Sequence, residues 1–292
     1  NYYLDSSCSN AFGTEGTNLK GTATAKSAEA FASGEVCYLL NGNQSDIHFY
    51  QEIGTDAYPT LDASRGTVYK SSPCTGYTNS TDENPHAYDE NGFCSKCGAY
   101  EPATQNTDDV YEIDNAGKLY WFAGLVNGTL DGVAQNTAAH AKLTADLQLD
   151  GKNHTWASIG TESNPYTGTM DGQNHHISDF YLQTSESYQG LFGACRNATI
   201  QNMTVDGQLE IQGSTVTINS FGLIGRAEAG SISNITSNLI ITETGGAVAH
   251  VGGVVGDIIT GAIVKDCIFG GSISMNTSID CIGGVVGYAN DY

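Results

Sequence analysis

Four tetrapeptides recur in the second half of the chain: Gly190-Leu191-Phe192-Gly193, Gly222-Leu223-Ile224-Gly225, Gly253-Val254-Val255-Gly256 and Gly284-Val285-Val286-Gly287. Their first glycines advance in steps of 32, 31 and 31 residues. A fixed period of this length marks stacked supersecondary units. Ten residues after each of the first three glycines stands an isoleucine: Ile200, Ile232 and Ile263. Two residues further on come Asn202, Asn234 and Lys265, and the same frame sets Cys267 in the slot of Thr204 and Thr236, a place for a small buried side chain. An earlier variant of the phrase is Ile177-Ser178-Asp179-Phe180-Tyr181-Leu182. Each phrase alternates apolar and polar residues, the period of a strand, and is rich in β-branched Ile, Val and Thr. Glycines punctuate the ends, where corners need special backbone freedom. No helical pattern between the strands is long enough for a βαβ crossover. A chain that winds once per repeat, laying each strand on its equivalent in the next coil, meets all these conditions. The expected fold class is all-β: a right-handed parallel β-helix, apolar inside and rich in Asn, Ser and Thr outside. A β-sandwich of hairpins is the alternative, but Asn-Gly and Asp-Gly turns do not sit regularly between the strands.

The rest of the chain is organised around that coil. Between Ile113 and Gly128, Leu119, Phe122, Leu125 and Val126 recur at helical spacing, with Asp114 placed as N-cap and Gly128 just past the end. This predicts an amphipathic helix capping the open end of the β-helix. Leu143, Ala145, Leu147 and Leu149 alternate and predict the first strand of the coil. Residues 1–70 read as a small mixed α/β end piece, with a short helix over Ala28–Gly42 and one or two strands between Phe49 and Leu61. Residues 71–108 read as a Cys/His-bearing linker, and residues 109–292 as the β-helix. The chain opens on Asn-Tyr-Tyr and stops within a repeat, so we read it as a piece of something longer.

Charge narrows the classes of partner. Lys plus Arg number 11 against 32 Asp plus Glu, a formal charge of −21. Such a chain is repelled by phosphate backbones and anionic lipid, which argues against nucleic-acid and peripheral-membrane binding. No apolar run reaches the ~18 residues of a membrane span.

Ala141 to Gly151, then Trp156 to Gly160, Gly168-Thr169-Met170-Asp171-Gly172-Gln173-Asn174-His175-His176-Ile177, and the Gly-Leu-Phe-Gly repeats together resemble the GLUG-motif surface proteins of gut and oral bacteria. A similar module stands beside the catalytic domain of some IgA-specific metallopeptidases. The resemblance covers residues 109–292, and Asn1–Tyr69 is similar to the end piece that follows such modules. It implies a secreted or wall-attached protein with a β-helical region; it does not imply a catalytic activity, because the recurrent motif of that family is structural. The His-Glu-x-x-His of a metallopeptidase does not occur.

Three constellations carry candidate chemistry. Cys94-Ser95-Lys96-Cys97-Gly98 is a C-x-x-C knuckle, and Cys74 and His86 upstream complete a Cys₃His set suited to structural zinc. A disulfide plus a free thiol is the competing reading. Cys8 and Cys37 flank the end piece and form the candidate disulfide, while Cys195, Cys267 and Cys281 read as packing thiols. Asp171-Gly172-Gln173-Asn174-His175-His176 offers an acid and two histidines, but reads better as a glycine-bearing turn before a strand. The acidic groups Asp82, Glu83, Asp89, Glu90, Asp108 and Asp109 have no calcium-loop spacing and read as a solvated face, which leaves calcium open.

The expected function is a non-catalytic module of a secreted or cell-surface bacterial protein, an adhesin or spacer rod with a glycan or host protein as ligand. A β-helical polysaccharide-degrading enzyme, or an accessory region of a secreted peptidase, is one alternative. Lys and Arg are scarce after residue 109, which argues against a lyase gripping uronates. A second alternative is head-to-tail self-assembly, with Asn1–Leu4 pairing on the last coil of a neighbouring copy.

Overall fold

The computed structural model describes residues 1–7, 23–42, 46–71, 74, 76–80, 86–212, 220–245, 248–276 and 279–290. The chain divides into two compact units, Asn1–Ala87 with Cys94–Ala99, and Tyr88–Phe93 with Tyr100–Tyr292.

The larger unit is a parallel β-solenoid of about five turns. Its principal sheet stacks Val110–Ile113, His140–Leu143 with Leu147–Gln148, Thr169–Thr184, Thr199–Ile211, Ser231–Glu243 and the short strands from Ile263 to Ser274, each parallel to the next. A second sheet stacks Phe192–Arg196, Ile224–Glu228, Val255–Ile259 and Val286–Asn290. A third stacks Ser220–Phe221, Val248–Gly252 and Ile279–Gly283. The all-β parallel β-helix expected from the repeats is the fold.

Register explains why the repeat holds. Phe192, Ile224, Val255 and Val286 stand one above the other, so the third residue of each tetrapeptide forms a continuous inner ladder. Ala141, Met170, Ile200, Ile232 and Val264 form a second ladder, and Leu182, Leu209, Ile241 and Ile273 a third. The first four residues of the second ladder are buried, each large one contributing about 1.5–3 kcal/mol of apolar burial. The repeat glycines permit close approach at the corners. A Cβ on Gly256 would lie 2.6 Å from the Phe221 nitrogen and 2.7 Å from the Gly225 oxygen. Outside, left-handed corners fall on Asn174, Asn202 and Asn234, residues that tolerate positive φ. The Asn234 amide donates to Oδ1 of Asn202 at 2.9 Å and of Asn174 at 3.2 Å, a polar ladder between coils.

The last coil slips against the expected frame. Val264, not Ile263, stands on Ile232, and Lys265 stands on Ser233. Asp266 then takes the left-handed corner of Asn234. The corner Ala229-Gly230 has become Thr260-Gly261-Ala262, one residue longer, which moves the side chains from Ile263 to Ser274 by one place, and the frame returns where Ile279 stands on Val248 and Val286 on Val255. Ile268 accordingly aligns with Thr236 and is 61% exposed, while Cys267 falls at the level of Met203 and Ile235 and packs against the core.

The capping helix spans Ala116–Asn127. Its N-cap is Asn115, whose side chain accepts from the Lys118 amide at 2.9 Å, not Asp114. Asp114 instead bonds Lys118 Nζ at 2.7 Å. Gly128 closes the helix at φ 71°. The helix is also less amphipathic than its pattern implies: nine residues, Ala116 to Val126, are buried around most of its circumference. It sits within the solenoid core, where Phe122 packs edge-on to Tyr166, and Tyr120 donates to the His154 carbonyl at 3.0 Å. Thr104–Gln105 runs antiparallel along Val110–Ile113 and covers that edge of the principal sheet.

In the smaller unit the expected single helix is two, Ala28–Ala32 and Glu35–Leu40. Gly34 breaks it at φ 91°, with Ile53 and Val68 so close that a Cβ would meet them at 2.9 and 3.0 Å. The expected strands between Phe49 and Leu61 reduce to one antiparallel bridge, Tyr50 to Thr60. Tyr2–Leu4 pairs in parallel with Thr24–Lys26 of its own chain.

Candidate metal centre

Cys74 lies between the antiparallel strands Tyr69–Ser71 and Gly76–Thr78. Cys94 and Cys97 sit on a tight turn closed by the Gly98 amide on the Cys94 carbonyl at 2.8 Å, with Gly98 at φ 71°. The Ser95 amide bonds the Ala87 carbonyl at 3.2 Å, holding the turn against the residue next to His86. One ligand atom from each of Cys74, His86, Cys94 and Cys97 lies within 4.8 Å of all the others. The sulfurs of Cys74 and Cys94 are 3.8 Å apart, and Cys97 Sγ is 3.4 Å from His86 Nδ1. A tetrahedron built on metal–sulfur bonds of about 2.3 Å has an edge of about 3.8 Å, whereas a disulfide needs about 2.05 Å. The cluster could therefore hold a metal ion. Cys74 and Cys94 are buried, His86 and Cys97 half-buried.

Electrostatics differ sharply between the two buried thiols. Burial works against a charge on Cys94, but the Lys96 amide, the His86 ring and the amides of Cys97 and Ala87 all favour its sulfur and bring it down to about 6. Burial, followed by the neighbouring thiols of Cys97 and Cys94, pushes Cys74 up to about 12. Without a cation the pocket accepts one thiolate and resists the next. A divalent ion at its centre would reverse that resistance, since a coordinated thiol loses its proton outright.

The other sequence candidates separate from this site. Asp171 is a turn former: it accepts from the Gln173 amide and from the side chains of Gln201 and Asn202, each at 2.9 Å. His175 and His176 pair outward with different coils, Nδ1 of His175 3.0 Å from Asp146 and Nε2 of His176 2.8 Å from Asp206. Asp89 accepts from the amides of Asn91 and Phe93 at 3.0 and 2.9 Å, which makes it a turn residue. Asp108 and Asp109 sit in the turn before Val110, and Asp82 and Glu83 lie outside the described residues. Cys8 also lies outside them, while Cys37 is fully buried on its helix, its thiol pushed up to about 11 by burial. Cys195 is buried on the second sheet and Cys281 half-buried on the third.

One charged cluster escaped the sequence reading. Asp257 is buried in the second sheet, 4.0 Å from Arg226 Nε and 3.9 Å from His250 Nδ1. Desolvation raises its carboxyl, against the pull of the neighbouring His250 and Arg226. Arg226 lies over the Tyr188 ring at 4.9 Å and reaches Glu162 at 3.7 Å. Arg226 and Asp257, 31 residues apart, meet because the coil stacks them, while His250 comes from the preceding strand of the same coil.

No family model matches the chain, and no solved structure matches it. A stretch of 165 residues, 52% of the chain, is 28% identical to part of halomucin from Haloquadratum walsbyi. The stretch covers 2% of that protein, so the chain spans a small fraction of the length of the curated relative it matches. Among the described residues no helix is long and apolar enough to cross a membrane.

Proposed function

We propose that the chain is a non-catalytic, GLUG-type module of a secreted or cell-surface protein, a stiff rod that presents ligand-binding surface away from its point of attachment. The observation that carries this reading is the stack of parallel rungs, with inner apolar ladders passing from coil to coil. Solenoids of this kind offer long flanks to extended partners. The charge of −21 keeps such a surface soluble and off anionic lipid. The similarity to a stretch of halomucin accords with a repetitive module inside a much longer chain. In this reading the Cys₃His cluster holds structural zinc, which supplies folding energy to a small unit with few apolar residues to bury.

The test is incubation of the purified chain with a broad panel of glycans, following both retention and the appearance of shortened products. Retention with intact glycan is the expected result. Release of shortened products overturns the non-catalytic reading in favour of a polysaccharide-degrading enzyme.

A further inference from the structure

Along Thr169–Thr184 the principal sheet departs from its own repeat at two places, between Asp171 and His175 and again before Phe180, and the second shapes the surface. Thr199–Ile211 and Ser231–Glu243 pair residue for residue, but Thr169–Thr184 carries an extra residue between its partners of Val205 and Gly207. That residue is Asp179, at φ 55° and exposed. A bulge of this kind re-aims side chains and recurs at binding sites. Beside it the coil below ends in a left-handed corner at Asp150, φ 49°, and the turn that follows raises Lys152 and Asn153. Between them lies a cavity of about 520 Å³, with Tyr181 and Gln208 on its lining. A second space of about 190 Å³, walled by Trp156 and Gln183, shares Gly151, Lys152 and Tyr181 with the first, so the two form one groove.

The groove is built for a polar, uncharged and elongated molecule. Tyr181 is half-buried and held by its hydroxyl, which donates to Glu210 Oε2 at 3.0 Å, so the ring is a fixed platform. One oxygen of Asp179 accepts from Gln148 at 2.6 Å and one of Asp150 from Asn153 at 2.8 Å. Each carboxylate retains further lone pairs for donors from a ligand. Lys152, its Nζ 5.6 Å from the Tyr181 ring centre, adds a donor at the rim. Two carboxylates against one ammonium repel an anionic sugar, while the ring and the acceptors suit the C–H face and vicinal hydroxyls of a neutral one. The volume lies within the usual range for small-ligand sites.

We propose that this groove binds a neutral oligosaccharide, with Tyr181 stacking on a pyranose ring and Asp150 and Asp179 accepting from its hydroxyls. The proposal rests on the ligand-presenting reading above and gives it a place and a ligand class.

The experiment is calorimetric titration of the full chain with neutral tetra- to hexasaccharides of glucose, xylose, mannose and galactose, with polygalacturonate and an oligolysine peptide as comparison probes. At least one neutral series should bind, polygalacturonate should not, and Tyr181→Ala should weaken binding about tenfold or more, while Tyr181→Phe, which keeps the ring, retains most of it. Asp179→Asn, whose side chain suits the same left-handed backbone, should weaken binding with no change in melting temperature. Wild-type binding in both Tyr181→Ala and Asp179→Asn overturns the proposal, as does failure of every neutral series to bind, or binding of the peptide or polygalacturonate alone. These failures would leave surface display untouched, because display is read on cells and not by affinity.

Discussion

At the scale of single residues, much of the chemistry turns on where a charge is tolerated. Cys94 is the thiolate its surroundings prefer, and one ligand atom from each of Cys74, His86 and Cys97 lies within 4.8 Å of its sulfur and of one another. We expect Cys94→Ser to reduce bound zinc from about one ion per chain to about none, and to destabilise the smaller unit by about 3 kcal/mol or more, read by elemental mass spectrometry and thermal melting. The pH dependence has a definite sign. A thiol held below its ordinary value of 9.0 adds stability that is complete above that value and is lost as the pH falls through about 6. Protons and the ion compete for the same four side chains, so bound zinc should fall as the pH is lowered, followed with a chromogenic chelator. Asp257 has the opposite sign, since burial raises its carboxyl. Its charge costs stability at neutral pH, and the cost vanishes as the pH falls below the ordinary 3.8. Asp257→Asn should raise stability at pH 7 by about 1 kcal/mol, because Arg226 keeps Glu162 at 3.7 Å as a counter-charge; an unchanged or lowered melting temperature contradicts this. The knuckle was readable from spacing because C-x-x-C is local. Asp257 was not, since Arg226 reaches it only through the stacking of coils and His250 only through the fold of the corner between them.

At the scale of the element, the tetrapeptide glycines were legible as corners, and the structure adds why they are glycines. Gly256, the fourth residue of its tetrapeptide, faces backbone of the neighbouring coil, whereas Gly284, the first residue of the last tetrapeptide, has only a Phe269 ring carbon at 4.0 Å. Gly256→Ala should cost about 3 kcal/mol or more, because backbone and not a flexible side chain must move. Gly284→Ala should stay within about 0.5 kcal/mol. Equal costs, measured by denaturant unfolding, would mean that the corners do not set coil spacing. The frame was readable through all four tetrapeptides but misplaced by one between Ile263 and Ser274, because one added corner residue between Val255 and Ile263 leaves the alternation intact while sliding it. Periodicity reports that a strand exists and is nearly blind to a shift of one between coils. The helix was found from its spacing, but its cap fell on Asn115, since the adjacent Asp114 and Asn115 are equally good caps by type and only the Lys118 amide decides between them.

At the scale of the molecule, a repeat readable in the sequence became a solenoid with two unlike ends. Thr104–Gln105 and the helix cover one end of its core. At the other, Ile263, Ile268 and Ile282 are more than half exposed, and Val285 and Val286 only partly buried. The groove beside Tyr181 was not legible in advance, since its walls come from separate coils and its opening from a single bulged residue. The claim on which the whole account rests is display outside the cell. It is tested most directly with an antibody against the folded chain, applied to intact cells of the producing organism before and after permeabilisation. The account predicts full labelling of intact cells; labelling that appears only after permeabilisation would contradict it.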